Sequence, residues 1–239
     1  MKEFGIYAES DRLTEPDWRQ VVMAGDLWED PSFPADETSL LDSNMKPESR
    51  HSAWKNLVWK RPDEVYGEGC YCIYDIPQPT SLKQGLCENS YFLATLAAIA
   101  EAPVRIKRIF LTKERNTAGC YAVKMLINGE RKTVVIDDRF PYDEQKQQWA
   151  FCNTTERGRY TEIWGLLLEK AWAKVFGNYQ RIENGVAGEA LYWLTGCAQN
   201  RYDFGRINDD DGLWFRLQAA AEREQPINCC TFSNPVVIQ

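Results

Sequence analysis

Histidine is almost absent from this sequence, because His51 is the only one among 239 residues. A single imidazole excludes sites built from several histidine ligands, and it leaves one candidate base for any serine or cysteine nucleophile. His51 stands between the polar residues Arg50 and Ser52, and we expect it to lie in a solvated loop. The eight cysteines include no C-x-x-C pair, so a structural zinc site is not expected either.

Positive charge and long apolar runs are also scarce. The 28 Lys and Arg residues stand against 35 Asp and Glu, which gives a net charge of −7 at pH 7. Without a basic tract, this balance predicts no nucleic-acid partner and no membrane partner. The longest apolar run, 91–100, is too short to span a bilayer, and the first residues lack the apolar stretch of a secretory signal. We therefore expect a cytoplasmic protein whose cysteines are reduced, small apolar residues.

The first part of the chain has little regular pattern. Residues 1–26 predict a polar arm with a few apolar anchors, of which Trp18 is one. From Leu27 onward, prolines alternate with aromatic residues up to Pro79. That alternation is typical of irregular structure fixed to a core.

Two elements predict the core. A helix capped by Asn89 or Ser90 should run through 91–100 and end before Pro103. Because it is apolar nearly all round, we expect it to be central and buried. The β-rich runs 120–127 and 131–136 flank Asn128-Gly129, the strongest short-range signal for a β-hairpin. These patterns predict an α+β fold in which a central buried helix packs with further helices and the hairpin.

The second half of the chain predicts mainly helices. In 160–176, apolar residues recur in steps of three and four and define one helical face, which Gly177 ends. A shorter helix is expected over 189–194 and another over 211–224, where Pro226 stops it. The run 227–232 is a candidate last strand.

Several short motifs together resemble the protease core of the calpains, which are cytosolic calcium-dependent cysteine peptidases. They follow one another in the family's order: Glu29-Asp-Pro-Ser-Phe-Pro34, Trp59-Lys-Arg-Pro-Asp-Glu64, Gln84-Gly85 with Tyr91-Phe-Leu-Ala94, Val135-Ile-Asp-Asp138, Glu162-Ile-Trp164 with Leu168-Glu-Lys-Ala-Trp-Ala-Lys174, and Leu194-Thr-Gly196. The resemblance spans roughly residues 27–200.

This resemblance implies a papain-like core split into two lobes. In calpains the first lobe carries the nucleophilic cysteine at the start of the central helix, where the helix dipole favours a thiolate. The second lobe carries the histidine base and the asparagine that orients it. Residues 27–200 are similar to the first lobe, and we expect 201–239 to be the start of a second lobe or a C-terminal extension.

The resemblance also implies that the catalytic position is altered. Gln84 matches the family's oxyanion-hole glutamine, and at the family's spacing the nucleophile position is occupied by Ser90. The residue after it is Tyr91 instead of tryptophan, and Cys87 lies three positions too early, so a buried thiol is expected there. Ser90 is either a natural loss or an introduced replacement of cysteine, and the altered flanking residues favour the natural loss.

A family calcium site is also depleted in this sequence. Calpains bind calcium in the first lobe through two acidic side chains and backbone carbonyls. One acidic position is Ser81 here, whereas the other matches Glu162. Calcium affinity falls as carboxylates are lost, so no calcium cofactor is expected, or only weak binding. The alternative role for Glu162 is a first-turn helix residue that interacts with the helix dipole.

These observations favour a catalytically inactive calpain-like module that acts as a protein-binding scaffold. The face of a lone first lobe needs a cover, which either residues 200–239 or other proteins supply. Divergent calpain-like proteins of protists lack catalytic residues, and several are tied to the flagellar or cortical cytoskeleton, which implies cytoskeletal, microtubule-associated partners at a cilium or cell cortex. The alternative is a fragment or active-site variant of a calcium-dependent endopeptidase. A third hypothesis is a calcium-responsive adaptor.

Overall fold

The computed structural model describes residues 15–154, 160–203 and 210–230. The α-helices in these ranges are α1 Trp18–Ala24, α2 Glu37–Leu40, α3 Pro62–Tyr66, α4 Ser90–Ala100, α5 Pro103–Ile109, α6 Trp164–Phe176, α7 Ala187–Thr195 and α8 Asp210–Glu222. The strands are β1 Val58–Lys60, β2 Tyr71–Cys72, β3 Leu82–Lys83, β4 Cys120–Ile127, β5 Glu130–Asp137, β6 Phe140–Asp143, β7 Gln148–Trp149, β8 Asn153–Thr154 and β9 Thr161–Glu162. The predicted mixture of helices and strands is confirmed.

The central helix α4 is buried along most of its length, as predicted. It packs against α5 and α7, and the Phe92 ring stacks on Trp172 of α6 with 5.0 Å between ring centroids. Phe92, Leu96 and Ile99 are fully buried. Only Ser90 and Ala94, one helical turn apart, are exposed, so one narrow strip of the helix reaches the surface.

The predicted hairpin is formed by β4 and β5, paired antiparallel from Cys120↔Asp137 to Ile127↔Glu130. Asn128 and Gly129 both have positive φ, 53° and 81°, which is the geometry of a two-residue type I′ turn. One face of the hairpin lies in the main core. The other face is covered by α1, whose Trp18 packs against it. The described end of the predicted arm therefore includes a docked helix, and residues 1–14 lie outside the described residues.

The remaining strands are short and join distant parts of the chain. β1, β6 and β7 form an antiparallel sheet, β3 pairs antiparallel with β8, and β2 pairs parallel with β9. Between them the chain from 27 to 83 is mostly turns, 3₁₀ segments and very short helices, in agreement with the proline-rich pattern. The β2–β9 pairing brings 71–72 beside the segment that leads into α6.

Helix α6 differs from its prediction in two ways. It begins at Trp164 instead of 160, because Thr161 and Glu162 pair as a strand. It is also buried on every side from Trp164 to Val175, including Lys170 and Lys174. The sequence predicted burial of one face only, because a lysine without a nearby carboxylate is expected to face solvent. The carboxylates that pair with these two lysines are remote in the sequence.

The C-terminal helices agree with the sequence, whereas the predicted last strand does not. The helices expected over 189–194 and 211–224 are Ala187–Thr195 and Asp210–Glu222. Residues 227–230 form no strand, and the rest of that run lies outside the described residues. Instead, the Asn228 amide donates to Thr95 Oγ1 of α4 at 3.3 Å, a contact through side chains that gives no ladder. Among the described residues, no helix has the length and apolar character that crossing a membrane requires.

Candidate functional site

Ser90 is the first residue of the central helix α4 and is exposed to solvent. The backbone carbonyl of Asn89 accepts hydrogen bonds from the amides of Phe92 and Leu93, at 2.9 and 3.2 Å, and so fixes the first turn. The partial positive charge of a helix N-terminus therefore lies beside residue 90. A thiolate at position 90 would be stabilised by this charge, but the residue there is a serine.

Cys87 is fully buried, as the sequence predicted. Its Sγ lies 3.7 Å from the carbonyl oxygen of Tyr179. Burial raises the pKa of the Cys87 thiol well above its ordinary value, and the charges of Glu169 and Glu183 raise it further. A thiol without access to solvent and without thiolate character is a poor nucleophile, so Cys87 does not replace a cysteine at position 90.

Gln84 is held close to the same loop. Its Nε2 donates to the backbone carbonyl of Cys87 at 2.9 Å. The next residue must be glycine, because a Cβ on Gly85 would lie 2.1 Å from the carbonyl oxygen of Phe151 and 2.3 Å from that of Ala150. The close approach of the Gly85 backbone to residues 150–151 fixes the position of Gln84. The hydrogen bond from the Gln84 amide in turn stabilises the segment that leads to Ser90.

Asn89 does not cap α4 with its side chain, although it occupies the cap position. It is fully buried, and its Nδ2 donates to Glu169 Oε1 of α6 at 2.7 Å. Glu169 Oε2 accepts from the backbone amide of Cys152 at 2.9 Å. Burial raises the pKa of Glu169 to about 7, although these two hydrogen bonds lower it. Sequence analysis missed Glu169, whose signal is a carboxylate in the middle of an otherwise apolar helix.

His51 is buried, and the prediction of a solvated loop was wrong. A 3₁₀ segment, Ser49–Asn56, turns the ring inward. His51 Nδ1 accepts from the Glu48 amide at 2.9 Å, so the ring proton is on Nε2, which lies 2.7 Å from Glu183 Oε2. The polar neighbours Arg50 and Ser52 gave no sign of this burial, because Glu183 is 132 positions away.

The His51–Glu183 pair stabilises the loop before α4 through contacts with Glu88. Glu183 Oε1 accepts weakly from the Glu88 amide, at 3.4 Å, and Arg50 bridges Glu183 and the Glu88 carboxylate. Both ring nitrogens of His51 are therefore engaged in structural contacts. The one imidazole of the sequence fixes this loop and is not placed as a free base for Ser90.

Glu162 lies in strand β9 and not in the first turn of a helix, which corrects the alternative role given to it. Its Oε1 accepts from the Asp75 amide and its Oε2 from Trp164 Nε1, the latter at 3.1 Å. Ser81 is buried and offers no carboxylate. Within the described ranges, no three His, Cys, Asp or Glu side chains are grouped so that they could hold a metal ion. This donor set does not fit calcium, which takes six to eight oxygens.

We expect isothermal titration with calcium to give no binding heat at millimolar concentrations. The physical reason is that both Glu162 oxygens already accept hydrogen bonds and that a serine replaces the second carboxylate. A Ser81→Asp variant is the matched comparison, since it restores the missing charge. Saturable heat from the unmodified chain would contradict the prediction and support a calcium-responsive adaptor.

Comparison with known proteins agrees with these motifs. A family model described as calpain family cysteine protease matches residues 28–237. Calpain-type cysteine protease DEK1 of Arabidopsis thaliana is 32% identical over 179 residues, 73% of this chain and 8% of that protein. The calpain-2 catalytic subunit of Rattus norvegicus is 30% identical over 88% of this chain and 29% of its own length. Calpain-A of Drosophila melanogaster is 30% identical over 91% of this chain and 25% of its own length. The chain thus spans less than a third of each of these relatives.

Proposed function

The chain belongs to the calpain family of cysteine proteases, and on that premise we propose that its 239 residues act as a protein-binding module that does not cleave its partner. The observation that carries this proposal is the location of His51, which is buried against Glu183 with both ring nitrogens engaged. A serine hydroxyl needs an adjacent base before it becomes a useful nucleophile. The start of a helix lies at Ser90, but the one imidazole of the sequence is bonded to Glu48 and Glu183.

The proposed binding surface is the exposed strip of α4 with Ser90 and Ala94. Its side chains are small, so a partner chain can approach the helix backbone closely. The segment at Asn228 touches α4 at Thr95 but leaves both residues exposed. On α8, Trp214 and Phe215 are 59% and 67% exposed, which is unusual for large apolar side chains. The partner that fits is a protein with an apolar contact surface.

We further propose a cytoplasmic, cytoskeletal setting at a cilium or cell cortex. The support for it is the serine at the nucleophile position, because calpain-like proteins that lack catalytic residues include several that are tied to the flagellar or cortical cytoskeleton. No calcium and no other cofactor takes part in this proposal, since partner binding needs neither.

A second candidate function is a calcium-dependent cysteine endopeptidase, of which these residues form one part. The observation that favours it is that the chain covers only 8% to 29% of its relatives' lengths. The histidine and asparagine would then come from outside the 239 residues, and Ser90 would be an introduced replacement.

Cleavage of casein tests whether these 239 residues are catalytic by themselves. We expect no cleavage by this chain, with or without calcium, and none by Ser90→Cys, because the variant restores a thiol without a base. Ser90→Ala gives the background rate. Since loss of a complete catalytic unit costs about 10⁶ in rate, any cysteine-dependent cleavage above the Ser90→Ala background would overturn the non-cleaving module.

Photo-crosslinking tests the binding surface. A benzoyl-phenylalanine at Ala94 should crosslink partner proteins in the native assembly, and the products should be enriched in the cytoskeletal fraction. The same probe at Glu130, exposed at the start of β5, is the control. Equal crosslinking from both positions would refute the α4 strip as the binding surface, whereas products only in the non-cytoskeletal fraction would refute the setting.

A further inference from the structure

The carboxylate of Glu169 lies beneath the start of α4, and its hydrogen-bond donors among the described residues are neutral. Glu169 is 2% exposed. Its Oε1 accepts from Asn89 Nδ2 and its Oε2 from the backbone amide of Cys152. An ionised carboxylate at such a depth is usually paired with a cation, and the hydrogen bonds of two amides replace only part of its lost hydration.

The groups packed around Glu169 come from four places in the chain. They are Cys87 before α4, Tyr91 in α4, Cys152 before β8, and Tyr179 after α6. Burial raises the pKa of each of these groups, and the Glu169 charge raises it further. All four are therefore neutral at pH 7, and they offer Glu169 no positive charge.

Charged side chains lie further out and act on those four groups. Glu183, Glu88 and Arg50 act on Cys87, Glu189 acts on Tyr91, and Asp137 acts on Tyr179. Arg50 is the one cation in this set, and it is already paired with the carboxylates of Glu183 and Glu88. Apart from Arg50, the charged side chains that act on this cluster are thus acidic.

The side chain of Asn89 is only half satisfied in this arrangement. Its Nδ2 donates to Glu169, whereas its Oδ1 is buried and has no hydrogen-bond partner among the described residues. An unpaired buried acceptor costs about 1–3 kcal/mol. A rotation of the amide by half a turn would exchange the two atoms and present the acceptor Oδ1 to Glu169.

We propose that protonation of Glu169 switches the Asn89 amide and with it the first turn of the central helix. The Cys152 amide requires an acceptor at Oε2, so the added proton resides on Oε1, which faces Asn89. An Oε1–H group cannot face an Nδ2–H group. Asn89 therefore turns, and its Oδ1 accepts the new hydrogen bond.

The consequence reaches the surface through the backbone. Asn89 is the cap residue whose carbonyl accepts the first hydrogen bonds of α4, and Ser90 follows it directly. A cavity of about 10 Å³ lies against Glu169, Cys152 and Tyr179. This is room for about one water beside the Glu169 carboxyl group. With the pKa of Glu169 at about 7, the change falls in the neutral range. The proposed switch does not depend on whether the α4 strip binds a protein.

Nuclear magnetic resonance of the isotope-labelled chain tests the switch. Between pH 5 and pH 9, the Asn89 side-chain amide and the backbone amides of Ser90 and Cys152 should shift together with a midpoint near 7. Glu169→Gln should abolish this transition, because a glutamine Nε2 donates permanently to Asn89 Oδ1. Its spectrum at every pH should resemble the low-pH spectrum of the unmodified chain around these residues.

Two further variants complete the design. Glu101→Gln removes an exposed carboxylate just after the other end of α4 and should leave the transition unchanged. Asn89→Ala removes the hydrogen bond that Asn89 makes to each form of Glu169, and because the bond to the charged form is the stronger one, the midpoint reported by Cys152 should rise by about half a pH unit or more. Flat resonances in the unmodified chain, an unaltered transition in Glu169→Gln, or an unmoved midpoint in Asn89→Ala would each overturn the proposal.

Discussion

Asp137→Ala should lower the free energy of unfolding by about 3–5 kcal/mol, a large part of the stability of a typical domain. Asp137 ends strand β5 and is fully buried. Its carboxylate accepts from Lys170 Nζ, from the Arg139 guanidinium and from the Asp30 amide at 2.8 Å. Burial by itself would raise the pKa of Asp137, but the Lys170 charge and these hydrogen bonds outweigh it and lower the pKa far below its ordinary value.

The large effect comes from the group that the substitution leaves behind. Lys170 is fully buried in the middle of α6, and without Asp137 its ammonium keeps the hydrogen bond to the carbonyl of Arg139 and the aromatic rings around it, but loses its directly bonded carboxylate. A buried cation without its counter-charge is more costly than the loss of the pair itself. Urea denaturation measures the change. Glu130→Ala, on the same strand but exposed and 4.0 Å from Lys132, is the matched control and should cost less than about 1 kcal/mol. A similar small loss in both variants would contradict the expected cost of a buried lysine without its counter-charge.

Stability should also fall by about 3 kcal/mol as the pH rises from 4.5 to 8 because of Glu169 alone. The ordinary pKa of this group is 4.5, and burial raises it to about 7 in the folded chain. The folded state thus holds a proton that the unfolded state has lost. A raised pKa of an acid gives stability that is complete below pH 4.5 and is lost as the pH rises through 7.

Comparison with Glu169→Gln isolates this contribution from others. Burial also raises the pKa of Asp138, to about 6, against the opposing charge of Arg61, and this gives a decrease of the same sign. Because Asp138 is unchanged in Glu169→Gln, its effect cancels in the difference. Urea unfolding at pH 4.5 and pH 8 should show a smaller loss of stability in the variant by about 3 kcal/mol. Equal pH dependence of the two proteins would contradict the raised pKa.

Local signals in the sequence were sufficient for the hairpin and the central helix. Asn128-Gly129 specifies a turn with two positive φ angles, and the flanking β-rich runs could only pair across it. The apolar run before Pro103 predicted the central helix within a residue at its start. These features depend on neighbours within a few positions, so the sequence shows them directly.

The support of the candidate site could not be predicted in the same way. His51 and Glu183 are 132 positions apart, and Asn89 and Glu169 are 80 apart. Each of these polar residues is compatible with an exposed position until its partner is known. Ser90 begins the central helix, as expected from motifs that are ordered along the sequence, whereas the groups that hold its loop were missed because they depend on contacts between those motifs.

The amino-acid sequence by itself determined the family, the serine at the start of the central helix, and the presence of one histidine in 239 residues. Those are properties of residue identity and order. Only the tertiary structure decided that His51 is buried against Glu183 and that Glu169 lies beneath Asn89. The physical reason is that burial changes the charge state and hydrogen bonding of a titratable group, and burial is fixed by packing between segments far apart in the chain.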